Sequence, residues 1–149
     1  MRLLLIHADL MEYEVKKRTK YAEQIGESQK HAKMEDALTA FIAVERDDAD
    51  DIAIISERTS NSIAEVAQRV GSHKIMLYPY AHLSSELSSP EVAIEVLKQV
   101  EHFLTEFEVM MVPFGWYKSF TIKCKDHPLS ELSRSIKPES KIEKKHVDV

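Results

Sequence analysis

Three stretches of this 149-residue chain carry side chains able to do chemistry. The first is Tyr78-Pro79-Tyr80-Ala81-His82-Leu83-Ser84-Ser85-Glu86-Leu87. Its His82 can bind a ligand or pass a proton near neutral pH, or it is simply a loop histidine held by a structural hydrogen bond. The second is Pro113-Phe114-Gly115-Trp116-Tyr117-Lys118. Aromatic rings beside a lysine can stack on a base and pair with a phosphate or carbonyl. The plainer alternative makes Phe114 and Trp116 core and turns Lys118 to solvent. Gly115 permits a turn or a close backbone approach, and Tyr117 and Lys118, opening a strand, point to opposite faces. The third stretch runs from Cys124 through His127-Pro128 to Arg134, where Glu131 and Arg134 fit an i, i+3 ion pair on a helix surface.

Other chemistries lack their residues. The three glycines stand alone at 26, 71 and 115, so no phosphate-cradling glycine loop is present. The seven histidines show no metal-binding spacing, and there is no Gly-x-Ser-x-Gly elbow. The single cysteine, Cys124, excludes an intramolecular disulfide and a multi-cysteine zinc site and fits a reducing compartment. It sits in an alternating segment and reads as core or half-buried. No metal and no cofactor are expected.

The elements that must position these groups follow from patterning. Residues 2–8 form an apolar run that reads as a buried strand, and 10–16 a second, half-exposed strand beyond Asp9. Residues 17–36 are polar, with little periodicity, and read as a connection with a helical turn near 30–36. Residues 37–45 form a strong strand candidate. The acidic run 47–51 suits a helix N-terminus, and the helix then reaches Val70 with Gly71 as its stop. Ser62 and Glu65 fit a second start, so one helix and two are both open. A strand spans 74–80, so the His82 loop follows its C-terminal end, a favoured place for ligands in such sheets. Ser89-Pro90-Glu91 starts a helix over about 90–107 whose buried face includes Ala93, Val96, Leu97, Val100, Leu104 and Phe107. Strands cover 108–113 and 116–124, a short segment follows over 129–136, and the charged end has no apolar face. Strand, strand, strand, helix, strand, helix, strand, strand makes an α/β (α+β) domain with a mixed sheet and two main helices.

Composition narrows the function. Hydrophobic residues make up 44% and charged residues 30%, as in a soluble domain, and no apolar run is long enough to span a membrane. The N-terminus reads as a first strand rather than a signal peptide. A net charge of −5 argues against sequence-blind nucleic-acid binding. Yet residues 1–114 hold 12 basic against 20 acidic side chains, and residues 115–145 hold 8 against 4. A local basic surface toward the C-terminal end can meet a phosphate backbone, or is a solvated face.

Together, and in this order, the segments resemble the N-terminal editing domain of archaeal threonyl-tRNA synthetase. The matching pieces are Leu4-Leu5-Ile6-His7 with Asp9, Glu12-Tyr13-Glu14-Val15, Ala40-Phe41-Ile42-Ala43-Val44-Glu45, Tyr78–Leu87, Pro113–Lys118, and His127-Pro128-Leu129-Ser130-Glu131-Leu132-Ser133-Arg134. The resemblance covers residues 1–138, taken as the domain, with 139–149 as a charged tail or linker. It implies a D-aminoacyl-tRNA deacylase-like fold, a homodimer, a cytoplasmic setting, and removal of L-serine wrongly esterified to threonine tRNA. By position, the active-site residues fall on His82, Tyr117, Lys118 and Glu131. Main-chain groups around Val44, Pro79, Ala81 and Phe114 are expected to line the pocket. Trp116 departs from the tyrosine of relatives but keeps an aromatic ring. Residues 17–35 match poorly, and nothing is carried over there.

The implied reaction is ester hydrolysis by a positioned water. Backbone N–H groups or Lys118 would stabilise the developing oxyanion, and the tRNA's own 2′-hydroxyl would participate. The expected partners are a tRNA 3′ end carrying serine, a second copy of the chain and the rest of the synthetase. Two rivals stay open: a non-catalytic tRNA-binding module, and a small-molecule enzyme acting on a free amino-acid ester.

Overall fold

The longest element is a strand. β1 (Arg2–Arg18) runs through both strands expected at 2–8 and 10–16. The computed structural model describes residues 1–139, so most of the expected charged tail or linker lies outside the described residues. The discontinuity at Asp9 is a change of face, not an end. Leu3 and Leu5 look toward the helices, whereas Met11, Tyr13 and Val15 look to the other side. β2 (His31–Ala43) pairs antiparallel with β1, from Arg2↔Ala43 to Glu14↔His31. It changes face at the same level, where Asp36 takes a φ of 52°. Aspartate tolerates that left-handed backbone better than most residues. Residues 31–36 are therefore strand, not the helical turn expected there.

α1 (Ile52–Val70) is one helix. The Asp51 carboxylate accepts from the Ile54 N–H at its start, and Gly71, at φ 75°, ends it. The acidic run lies mostly before the helix, in a 3₁₀ turn over Arg46–Asp50, where buried Asp48 meets the Met1 ammonium at 2.9 Å. Ser62 and Glu65 start no second helix. Both accept from Arg134 Nη1 at 3.1 Å. Arg134 lies on β6 (Glu131–Ser135), where residues three apart face opposite ways, so the expected Glu131–Arg134 helix pair does not exist. β3 (Lys74–Pro79), α2 (Pro90–Phe103), β4 (Glu108–Met111) and β5 (Trp116–Cys124) complete the fold. α2 stops short of 107, and the element order is two strands, helix, strand, helix, three strands.

The sheet order is β4-β3-β2-β1-β5, with β6 beside the first half of β1 and β5 beside the second. β2, β3 and β4 are parallel, and β1 is antiparallel to its neighbours. This is the expected mixed sheet with two helices. Both helices pack on one face, where Ile55, Ile63, Val66, Val96, Leu97 and Val100 meet Leu3, Leu5, Leu38, Ile42, Ile75 and Leu77. Burying each such side chain contributes about 1.5–3 kcal/mol. On the other face the sheet curls onto itself. The Phe120 ring of β5 lies 5.6 Å from that of Phe41 on β2 and 5.3 Å from that of Tyr78 on β3. The curl leaves a hollow at the C-terminal ends of β2 and β3, closed on one side by α2.

Candidate active site

Segments leaving the parallel strands meet at those C-terminal ends. Their edges form a cavity of about 550 Å³. Ile42, Ala43 and Val44 supply the end of β2, and Tyr78 through His82 the end of β3 and its turn. Ala93 and Leu97 of α2 form the apolar floor, and residues 114–118 with Phe120 the opposite wall. A cavity of this size suits a nucleoside-sized ligand.

Each wall is fixed by hydrogen bonds from backbone and side chains. The Tyr80 N–H donates to Ile42 O at 2.8 Å, and the Ser88 N–H to Val44 O at 3.0 Å. Ser84 Oγ donates to Glu45 Oε2 at 2.6 Å, tying the His82 turn to the end of β2. The opposite wall is held by residues 19–23, which cross over the 113–116 turn. Thr19 N–H and hydroxyl both donate to Gly115 O, at 3.0 and 2.7 Å. Glu23 N–H donates to Phe114 O at 3.0 Å, while Phe114 N–H donates to Glu23 Oε1 at 2.9 Å. Trp116 Nε1–H donates to Glu23 O at 2.9 Å. Gly115 has no alternative here. Its φ is 83°, and a Cβ would sit 2.5 Å from the Tyr21 carbonyl oxygen.

Lys118 points inward. Its ammonium donates to Pro113 O at 3.0 Å and Trp116 O at 2.9 Å, and lies 5.3 Å from the Tyr78 ring centre. Two of its three protons are thus engaged and one is left for a ligand. Burial pulls its pKa down to about 8, against the opposing pull of Glu23. Burial, with Tyr80 beside it, pushes the Tyr78 hydroxyl up to about 12, so it stays a neutral phenol. His82 is exposed at the rim, its ring edge-on to Tyr80 at 5.2 Å. Tyr117, 63% exposed, stands at the mouth.

Of the residues singled out in the sequence, Val44, Pro79, Ala81, His82, Phe114, Tyr117 and Lys118 all line this cavity. Glu131 does not. It is exposed at the start of β6, opposite Ile6. The alternative of a solvent-facing Lys118 is overturned, and Trp116 and Phe114 are half-buried cavity wall rather than core. Cys124 is half-buried, as expected. Residues 19–23 were missed because their role depends on a partner some 90 positions later. The glycine at 115 is the one local hint. Among the described residues, no group of three His, Cys, Asp or Glu side chains is placed to hold a metal ion. No described helix is long and apolar enough to cross a membrane.

The cavity is thus a mostly apolar cleft that holds a clamped ammonium, a neutral phenol and rim aromatics. The chain matches the archaea-specific editing domain of threonyl-tRNA synthetase over residues 1–136, and it belongs to that family. It is 57% identical over 138 residues to a threonine--tRNA ligase of Methanothrix thermoacetophila, covering 92% of this chain and 22% of the relative. It is also 57% identical over 140 residues to that of Methanosarcina acetivorans, covering 93% and 22%. The similarity to the Thermococcus onnurineus ligase is 49% over 141 residues, covering 93% and 22%. The chain thus spans 22% of the length of these relatives. A solved structure, the c-Myc DNA Unwinding Element Binding Protein, shares the fold with a TM-score of 0.62 at 10% identity, covering 91% of this chain and 99% of that one.

Proposed function

We propose that the chain hydrolyses L-serine from mischarged seryl-tRNA for threonine and leaves threonyl-tRNA intact. Membership of the editing-domain family supports proofreading, and the ammonium of Lys118, clamped in the cavity wall, is the observation that carries the chemistry. A synthetic site built for threonine discriminates against serine by one methyl. That difference is worth only about 1–3 kcal/mol, so a second sieve is needed. A close-packed pocket turns the larger side chain away by repulsion.

In the proposed reaction a water adds to the ester carbonyl, negative charge grows on the carbonyl oxygen, and the bond to the ribose oxygen breaks. The free N–H of Lys118 meets that charge in a site of low polarity, where such a donor contributes most. The main-chain N–H of Phe114 is engaged by Glu23 and is not free to share that role. The ribose 2′-hydroxyl helps place the water. Tyr117 orients the adenosine, His82 holds the substrate at the rim, and Glu131 holds substrate and water. Since Glu131 lies off the cavity in one copy, the homodimer is its route to the site. The domain, residues 1–138, acts in the cytoplasm and as part of a synthetase.

The deciding experiment incubates the purified chain with seryl-tRNA and threonyl-tRNA and scores release of the amino acid. Release of serine alone is expected. Binding of tRNA without deacylation would instead make the chain a non-catalytic binding module. Turnover of a free amino-acid ester at the same rate would make it a small-molecule esterase.

A further inference from the structure

Beyond the cavity, its mouth carries a feature that the proofreading chemistry does not use. The end of β1 and the turn after it read Lys16-Lys17-Arg18-Thr19-Lys20-Tyr21. In the register of the sheet, Lys17 lies opposite Tyr117 and Arg18 opposite Trp116, so the basic run borders the cavity's aromatic wall. The Tyr21 ring is 45% exposed and lines the cavity mouth, as Tyr117 does. Lys20 Nζ stands 5.2 Å from the Tyr21 ring centre, and the Arg18 guanidinium 5.8 Å from that of Trp116. Lys17, Arg18 and Lys20 make no salt bridge among the described residues. Cations without a carboxylate partner stand out in a chain of net charge −5.

Position makes this patch a platform. Thr19 and Glu23 pin the segment on either side of Tyr21, and its backbone lies against Gly115, so the ring is presented from a fixed support. Exposed rings on a rigid backbone, interleaved with unpaired cations, are how proteins hold single-stranded nucleic acid without reading its sequence. We infer that Tyr21 stacks on a base of the single-stranded tRNA 3′ end adjoining its terminal adenosine, while Lys17, Arg18 and Lys20 meet the neighbouring phosphates. The inference rests on the proofreading function and extends it: the cavity takes the aminoacyl-adenosine, and the platform takes the RNA leading into it. This arrangement favours an ester on RNA over the same ester on a free nucleoside.

The test measures kcat and KM for seryl-tRNA deacylation by the full chain. Tyr21→Ala is expected to raise KM by roughly 5–150-fold, the range set by loss of one stacked base. Tyr21→Phe, which keeps the ring, is expected to restore most of it. Arg18→Ala with Lys20→Ala is expected to flatten the salt dependence of KM by about 0.7 logarithmic units per charge removed. A Tyr21→Ala loss confined to kcat, a Tyr21→Phe variant as impaired as the alanine variant, or an unchanged salt slope would overturn the platform. The proofreading function can fail separately, if the unaltered chain releases no serine. Binding of a 5′-labelled four-nucleotide RNA ending in CCA then decides. Weaker binding by Tyr21→Ala supports the platform, and equal or absent binding by both proteins rejects it.

Discussion

The Glu23 carboxylate accepts the main-chain N–H of Phe114 at 2.9 Å, across 91 residues of sequence. This one bond ties down a cavity wall, occupies the Phe114 N–H, and places a negative charge near Lys118. Glu23→Ala removes an acceptor from a half-buried donor and is expected to cost about 1–3 kcal/mol in urea unfolding. Glu23→Gln can still accept through its amide oxygen but loses the charge. Its stability should stay closer to wild type, and the alkaline limb of its deacylation profile should move to lower pH.

In the proposed mechanism that limb belongs to Lys118. Acting as an ammonium, it would support catalysis below its pKa of about 8 and lose that role as pH rises through it. The catalysed rate, corrected for spontaneous ester hydrolysis, is expected to fall there. Stability moves the opposite way. Between about 8 and the ordinary lysine value the unfolded chain binds the extra proton, so unfolding becomes harder as pH rises. Lys118→Met, similar in length and uncharged, should lower kcat by roughly 10²–10³-fold and remove the limb. A variant that releases serine at the wild-type rate takes Lys118 out of the mechanism.

Gly115→Ala tests the wall directly. The left-handed backbone alone costs an alanine about 1–2 kcal/mol. The added Cβ also meets the Tyr21 carbonyl, backbone that cannot swing aside. A lowered unfolding midpoint and increased proteolysis within 19–25 are expected. An alanine variant as stable as wild type would mean that residues 19–23 do not press on this turn.

A second polar chain lies away from the cavity. The Leu129 N–H donates to His127 Nδ1 at 3.2 Å, which leaves His127 Nε2 as the donor to His7 Nδ1 at 2.8 Å. His7 Nε2 then donates to Asp36 at 3.0 Å. Both imidazoles are neutral in this arrangement. Burial lowers the pKa of His7, despite Asp36 beside it. The unfolded chain therefore takes up the proton first as pH drops below 6.5, and stability falls from there toward the folded pKa. His7→Gln should flatten that fall in urea titrations at pH 7.5, 6.5 and 5.5. An unaltered slope would assign the acid sensitivity to another group.

Glu131 offers a test of the dimer. If it serves the cavity of a second copy, Lys118→Met and Glu131→Ala are each inactive alone, yet a remixed sample regains about a quarter of the wild-type rate. Half of the dimers are mixed, and each holds one intact site. No recovery in a sample shown to exchange subunits would return Glu131 to its own copy or remove it from the site.

Much of this protein is written in short-range patterns. Asp51, Gly71 and Ser89 set helix ends through bonds to residues a few positions away, and Pro90 through its fixed φ, so the two helices and the strands at 74–79 and 116–124 were legible. The order of motifs also brought out His82, Tyr117 and Lys118, because a loop after a strand and an aromatic-lysine turn keep their spacing. Tertiary structure decided the rest. Asp9 looked like a strand end because it bounds the apolar run over 2–8, yet a face change in two paired strands lets β1 continue. Glu131 and Arg134 looked like helix neighbours until β1 and α1 claimed them. Residues 19–23 have no periodicity of their own. They become a cavity wall only when Gly115 leaves room for their backbone, a fit between distant segments that no local spacing records.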